Sequence, residues 1–169
     1  EFIYDGQKIT VESPIFTGIP VDACNSYKNY FPCIDGSIIF NFHSDGKTYY
    51  VKTDKNGNFL ELSQDYSKLN EKRSKSKYLE SEDNKLKVEL SDKYEHIGYF
   101  YNGLALIMND HKIGIIDKNG NEILPPCIEY DTILYAPKAK EFCMIYMFED
   151  TFVLPIGGEF AIINISRGN

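Results

Sequence analysis

The sequence contains no tryptophan and little of what builds catalytic or metal sites. Its three histidines, His43, His96 and His111, are scattered along the chain, and none of its four cysteines lies in a Cys-x-x-Cys pair. Zinc ribbons and thioredoxin-type redox sites are built on such pairs, so the spacing argues against both. Four cysteines in 169 residues are also too few for a disulfide scaffold. We expect buried free thiols, with one or two disulfides as the alternative. The cysteines are Cys24, Cys33, Cys127 and Cys143.

Long apolar runs and a signal peptide are also missing. No stretch approaches the roughly 18–20 apolar residues of a membrane span. The chain begins at Glu1 rather than at methionine, which is typical of a trimmed sequence, so the missing signal peptide says little about secretion. The compartment is left open between a bacterial cytoplasm and an exported or surface location. The net charge of −7 repels nucleic acid and anionic membranes, and we expect neither as a partner.

What the sequence does have is aromatic and β-branched residues between turn signals. It contains 13 tyrosines and 11 phenylalanines, which favour the half-buried surface of a strand. Short apolar runs alternate with Asp-Gly, Asn-Gly and Gly-Gly pairs, the usual signals of a β-hairpin. The pattern predicts an all-β fold of consecutive antiparallel β-hairpins. We expect a repeat-type or partial-propeller arrangement rather than a small closed barrel.

One pentapeptide, Asp-Lys-Asn-Gly-Asn, occurs at residues 54–58 and again at residues 117–121. It superficially resembles a calcium loop, but neither copy has the glycine and glutamate spacing of an EF-hand. A turn accounts for every residue, because Asp and Asn bond to nearby backbone amides and glycine accepts a positive φ. Both copies are therefore predicted to be turns, with Gly57 and Gly120 in the left-handed region.

A charged stretch between Ser63 and Asn84 interrupts the alternation of apolar runs and turn signals. It has few large apolar residues to offset the entropy of ordering, and we interpret it as a mobile connection. A domain boundary there would leave two short halves. A single domain over residues 1–169 is therefore the prediction.

The region from about residue 94 to 133 resembles the bacterial WG-repeat (or KWG-repeat) proteins. The matching segments are Gly103-Leu104-Ala105, Lys112 to Gly120, Ile123 to Pro126, and Tyr130-Asp131. Ile113 stands where the family has its tryptophan, which keeps a bulky apolar side chain ahead of Gly114 but loses the indole N–H. A degenerate copy spans about residues 36–62. The resemblance implies a non-enzymatic, β-rich binding or scaffolding domain.

Three functions follow as hypotheses. The first is a non-catalytic interaction module that binds a protein partner. The alternative is a surface or secreted carbohydrate-binding domain. The third is an enzyme with a Cys/His site formed only by tertiary contact, for example Cys33 with His43 or Cys127 with His96. No nucleophile elbow, Walker A loop or dinucleotide fingerprint is present, and we assign no catalytic, cofactor-binding or metal-binding residues.

Two aromatic clusters flank polar and turn residues and are the predicted partner-binding residues. Exposed tyrosine offers a large contact area at low entropic cost, which suits a protein interface. Packing in the core or in half-buried loops is the alternative for the same residues. The six residues are Tyr27, Tyr30, Tyr94, Tyr99, Phe100 and Tyr101.

Overall fold

The computed structural model describes residues 2–4, 6–20, 30–33, 35–65, 90, 92–98, 100, 103–129 and 150–168. Within these ranges the regular structure consists of 13 β-strands, and every pairing between them is antiparallel. The strands form three open sheets, and none of the sheets closes into a barrel. The all-β prediction and the prediction of consecutive antiparallel hairpins are therefore confirmed.

The three sheets are named here by their strands. The central sheet contains β1 (Phe2–Tyr4), β2 (Gln7–Val11), β3 (Ile15–Pro20), β12 (Thr151–Ile156) and β13 (Glu159–Gly168). Sheet I contains β4 (Tyr30–Pro32), β5 (Ile38–Ser44), β6 (Lys47–Thr53) and β7 (Phe59–Ser63), in that spatial order. Sheet II contains β8 (His96–Ile97), β9 (Leu104–Asn109), β10 (Lys112–Asp117) and β11 (Glu122–Glu129), also in spatial order.

Two-residue turns close three of the hairpins. Asp45-Gly46 joins β5 to β6, Asp110-His111 joins β9 to β10, and Gly157-Gly158 joins β12 to β13. All six residues have a positive φ, between 49° and 83°. Positive φ at both central positions is the signature of a type I′ turn, whose twist matches that of the flanking strands.

The central sheet brings the two ends of the sequence together. One edge of β13 pairs first with β2, where Ile165 lies opposite Val11, and then with β3, where Ile162 lies opposite Ile15. The other edge of β13 pairs with β12. Strands from the first 20 residues are thereby held by the C-terminal hairpin.

Sheets I and II cover opposite faces of the central sheet. Val153, Phe160 and Ile162 pack against Phe40 and its neighbours in sheet I. The alternate side chains of the same hairpin, among them Phe152, Leu154 and Ile163, pack against β9 and β10 of sheet II. Burial on both faces explains why β12 and β13 are almost continuously apolar in sequence.

Parts of the sequence-based prediction fall outside the described residues. The charged connection, predicted over Ser63 to Asn84, lies outside them from residue 66 onward. Whether residues 1–169 form a single domain is still a prediction.

Candidate protein-binding edge

The turn at residues 54–58 sets the start of β7. The Asp54 side chain accepts hydrogen bonds from the backbone N–H groups of Asn56 (2.8 Å) and Asn58 (2.9 Å), and from the Asn58 amide (2.9 Å). These bonds lower the pKa of Asp54, with the Asn58 amide as the largest cause. Gly57, at a φ of 78°, donates its N–H to the Asp54 carbonyl. The turn is thus clamped by one carboxylate.

The second copy of the pentapeptide forms the same turn. Asp117 accepts from the backbone of Asn119 (2.8 Å) and Asn121 (2.9 Å) and from the Asn121 amide (3.1 Å). Gly120 has a φ of 81° and donates to the Asp117 carbonyl. The predicted left-handed conformation of Gly57 and Gly120 is confirmed at both positions.

The turn at residues 54–58 is anchored to the central sheet. The buried Asn164 amide on β13 donates to the Lys55 carbonyl over 3.0 Å, while its own oxygen accepts from Thr151. A Cβ on Gly57 would lie 3.0 Å from Cγ2 of Ile15 and 3.9 Å from Cδ1 of Ile162. The beginning of β7 is therefore held rigidly against the molecule.

Strand β7 itself exposes its apolar side chains. Among the strands that the structure describes, it pairs only with β6 and is the last strand of sheet I. Phe59, Leu60 and Leu62 are 65%, 51% and 52% exposed, and they make up three of the five large exposed apolar side chains found among the described residues. A register shift next to Thr53 leaves Leu60 as the extra residue of a bulge. Three exposed apolar side chains on one edge strand are typical of an interaction surface.

The other edge strands of the described sheets contain proline or have no more than three residues. Proline cannot donate to a ladder, so it discourages a further strand from pairing. The two remaining edge strands, β1 and β8, contain only three and two residues. Strand β7 has five residues and contains no proline, lysine or arginine. The prolines are Pro20 in β3, Pro32 in β4, Pro125 and Pro126 in β11, and Pro155 in β12.

Charge is unevenly distributed beside this edge. Lys52 on β6 has a side chain that is 11% exposed, with Nζ lying 3.5 Å from Oδ2 of Asp35. Glu61 on β7 lies directly opposite Lys52 in register. Hydrogen bonds from Ser37, then its proximity to Lys52, lower the pKa of Asp35 and keep that carboxylate ionised. The Lys52 ammonium group therefore pairs with Asp35, and Glu61 on the edge strand forms no ion pair among the described residues.

The structure buries three of the six predicted partner-binding aromatics. Tyr30, Tyr94 and Phe100 are 6%, 3% and 5% exposed, which is the core packing that was the alternative for these residues. They offer a partner little surface in the free chain, and binding through them is still a prediction. The other three lie outside the described residues: Tyr27, Tyr99 and Tyr101.

Tyr94 also has its hydroxyl occupied within the molecule. The hydroxyl donates to Oε1 of Glu122 over 2.6 Å. Nζ of Lys93 lies 3.7 Å from the same carboxylate oxygen and 5.2 Å from the centre of the Tyr94 ring. Burial, followed by the bond to Glu122, raises the pKa of Tyr94. These contacts tie the segment before β8 to β11, a structural role.

Of the two cysteine and histidine pairs suggested by the sequence, only Cys33 and His43 both have described side chains. Cys33 is buried and bonded through its backbone to Ser37, next to the start of β5, whereas His43 lies near the end of that strand and bonds Thr48. Five residues of strand separate the two ends, about 16 Å at 3.3 Å per residue, so they do not form a catalytic pair. For the second pair, Cys127 is exposed on β11, and the His96 side chain is not among those that the structure describes, so this pair stays a prediction.

Among the residues that the structure describes, no group of three or more His, Cys, Asp or Glu side chains is arranged to hold a metal ion. No helix there is long and apolar enough to cross a membrane.

Sequence reasoning missed the three exposed side chains of β7. Their signal is local: Phe59 and Leu60 are adjacent, and Leu62 follows after a single charge. This run is compatible with a core strand, and only the sheet order reveals that no further described strand follows it.

Comparison of the chain with protein-family models, with curated proteins and with solved structures finds no match in any of the three.

Proposed function

We propose that this chain is a non-catalytic interaction module that binds a protein partner. The observation that carries the proposal is the exposed apolar row on β7, formed by Phe59, Leu60 and Leu62. Apolar side chains gathered on one edge strand are costly to leave in water unless another surface covers them. The clamped turn and the Asn164 anchor hold the row in place before any partner arrives, which lowers the entropic cost of binding.

The resemblance to WG-repeat proteins is part of this proposal. Two features support it: the identical hydrogen bonding of the two pentapeptide turns, and a structural need for Gly114. A Cβ at Gly114 would lie 2.5 Å from the Leu124 carbonyl oxygen. The glycine that the family resemblance singles out is thus required by the approach of β11 to β10.

The test is a pull-down from an extract of the source organism with three baits. These are the wild-type chain, Leu60→Lys on β7, and Ile3→Lys as a matched control at a side chain that is 82% exposed on β1. A partner recovered with the first and third baits but lost with Leu60→Lys supports the proposal. Binding of the purified partner should then weaken by about 1–3 kcal/mol in Leu60→Lys. Equal recovery with all three baits, or turnover of a small molecule by the chain, contradicts it.

A further inference from the structure

The partner's chemistry can be inferred from the edge of β7. We propose that this edge binds an extended, basic segment of the partner by strand addition, an inference that rests on the proposed function. Five residues of strand end sheet I without proline or a basic side chain, whereas β3, β4, β11 and β12 each contain proline. An added strand takes its affinity from main-chain hydrogen bonds and its specificity from alternate side chains.

The face on which each β7 side chain lies sets the alternation of the added strand. Leu62 lies opposite Val51, a residue of the core shared with the central sheet, so Leu62 lies on the inner face of sheet I. Glu61, one residue earlier, lies on the outer face beside Lys52. A strand laid along β7 therefore meets an apolar side chain at one position and a carboxylate at the next.

The residue on the added strand opposite Glu61 is selected by charge. Lys52, the cross-strand neighbour of Glu61, has its ammonium group 3.5 Å from Asp35, and among the described residues Glu61 forms no ion pair. A lysine or arginine on the added strand, directly opposite Glu61, balances the Glu61 carboxylate. The chain as a whole carries a net charge of −7, which also draws a basic segment toward it.

The same register argues against a second copy of this chain as the occupant. Antiparallel self-pairing that sets Leu60 against Leu62 of the other copy places the two Glu61 side chains directly opposite each other. Like charges in that position destabilise a sheet. A segment that alternates apolar and basic residues places an apolar side chain beside Leu62 on the inner face and a basic one beside Glu61 on the outer face. A second copy of this chain matches only the inner face.

The experiment measures the binding of labelled eight-residue peptides to the full chain by fluorescence anisotropy. The first peptide alternates valine and lysine, and the second replaces each lysine with glutamate. A third keeps the lysines but has two N-methylated valines, so it retains the charge but cannot form the ladder. We expect the lysine peptide to bind at least roughly fivefold more tightly than the glutamate peptide. The N-methylated peptide should bind roughly tenfold more weakly than its parent.

Chain variants then locate the site. Leu62→Lys should weaken the lysine peptide roughly tenfold, and Glu61→Lys should reverse the preference between the lysine and glutamate peptides. Ile3→Lys should change neither. Thermal melts of each variant establish that the fold is retained, which is expected because Leu62 is 52% exposed. Slower amide exchange in β7 on adding the lysine peptide gives a second readout that does not depend on substitution.

Several outcomes overturn the inference. Equal binding of the N-methylated peptide shows charge attraction without strand addition, and unchanged binding to Leu62→Lys places the site elsewhere. Self-association that Leu62→Lys abolishes makes a second copy the occupant. If the Leu60→Lys bait loses a natural partner while the lysine peptide does not bind, the interaction module stands and only strand addition fails. If all three baits recover a partner equally while the peptides behave as expected, the edge of β7 binds extended basic segments, and recognition of the natural partner through β7 is what fails.

Discussion

Replacing Gly114 with alanine is the sharpest perturbation that the fold offers. Gly114 lies in β10, between Ile113, which pairs with Ile128, and Ile115, which pairs with Leu124. The partner strand β11 thus places three residues opposite this single glycine. A Cβ there would lie 2.5 Å from the Leu124 carbonyl oxygen, 2.7 Å from the Pro126 nitrogen and 2.8 Å from the Pro125 carbonyl carbon.

All three of these atoms belong to the backbone, so no side-chain rotation relieves the overlap. Gly114 is not among the residues with positive φ, and the penalty is therefore steric rather than conformational. Overpacking a core typically costs 1–3 kcal/mol, and we expect Gly114→Ala to destabilise the fold by about 3 kcal/mol or more. For a chain of 169 residues this corresponds to a fall in Tm of roughly 6–12 °C.

Equilibrium urea unfolding followed by circular dichroism measures this change. Gly168→Ala is the matched control, because its Cβ would meet Lys8 only at 3.7 and 3.9 Å, which is ordinary contact. We expect the control to stay within about 0.5 kcal/mol of wild type. If the urea concentration at the midpoint falls while the dependence of the unfolding free energy on urea concentration is unchanged, the substitution has lowered stability without changing the unfolded state. If Gly114→Ala unfolds at the wild-type midpoint, the described approach of β11 to β10 is refuted.

Three further predictions concern the turn at residues 54–58, and all use urea unfolding. Gly57→Ala should destabilise the fold by about 1 kcal/mol more than Gly46→Ala. Both glycines have a positive φ, but only the added Cβ of Gly57→Ala meets a neighbour, Cγ2 of Ile15 at 3.0 Å. Equal effects of the two substitutions would refute the anchoring of the turn. Asn164→Ala should cost about 1–3 kcal/mol, since the Lys55 carbonyl loses its buried donor, and a neutral result would contradict that bond. The pKa of Asp54 is lowered in the fold, so its contribution to stability is present above the ordinary carboxyl pKa of about 3.9 and disappears as the pH falls through the folded value. Between about pH 5 and pH 2, wild type should therefore lose more stability than Asp54→Asn; parallel curves would contradict the clamp.

The hairpins could be predicted from the sequence because their signals are local. Asn56-Gly57 and Asn119-Gly120 each specify a turn through residues that are adjacent in the chain, and the turn in both cases is the predicted one. The pairing of β13 with β2 and β3 could not be predicted in this way. Ile165 and Val11 are separated by most of the chain, and the sequence of an apolar strand does not specify which other strand it will pair with.

The local sequence pattern also could not predict which aromatic side chains are buried. Tyr30 and Tyr94 lie beside polar and turn residues in sequence, which is compatible with either a surface or a core. Tyr30 is buried because its ring packs against Phe40 of β5 and Phe160 of the central sheet, with ring centroids 6.5 and 6.3 Å apart. Tyr94 is buried against sheet II, with Glu122 accepting a hydrogen bond from its hydroxyl group. Both outcomes depend on how sheets stack.

The stacking also fixes the place of Ile113. Its side chain is fully buried in the core between sheet II and the central sheet, surrounded by other apolar side chains. Under the proposed resemblance to WG-repeat proteins, the position that aligns with the tryptophan therefore contributes to core packing rather than to a binding surface. With both faces of the central hairpin covered and prolines in the other long edge strands, the exposed row on β7 is where we expect a partner to bind.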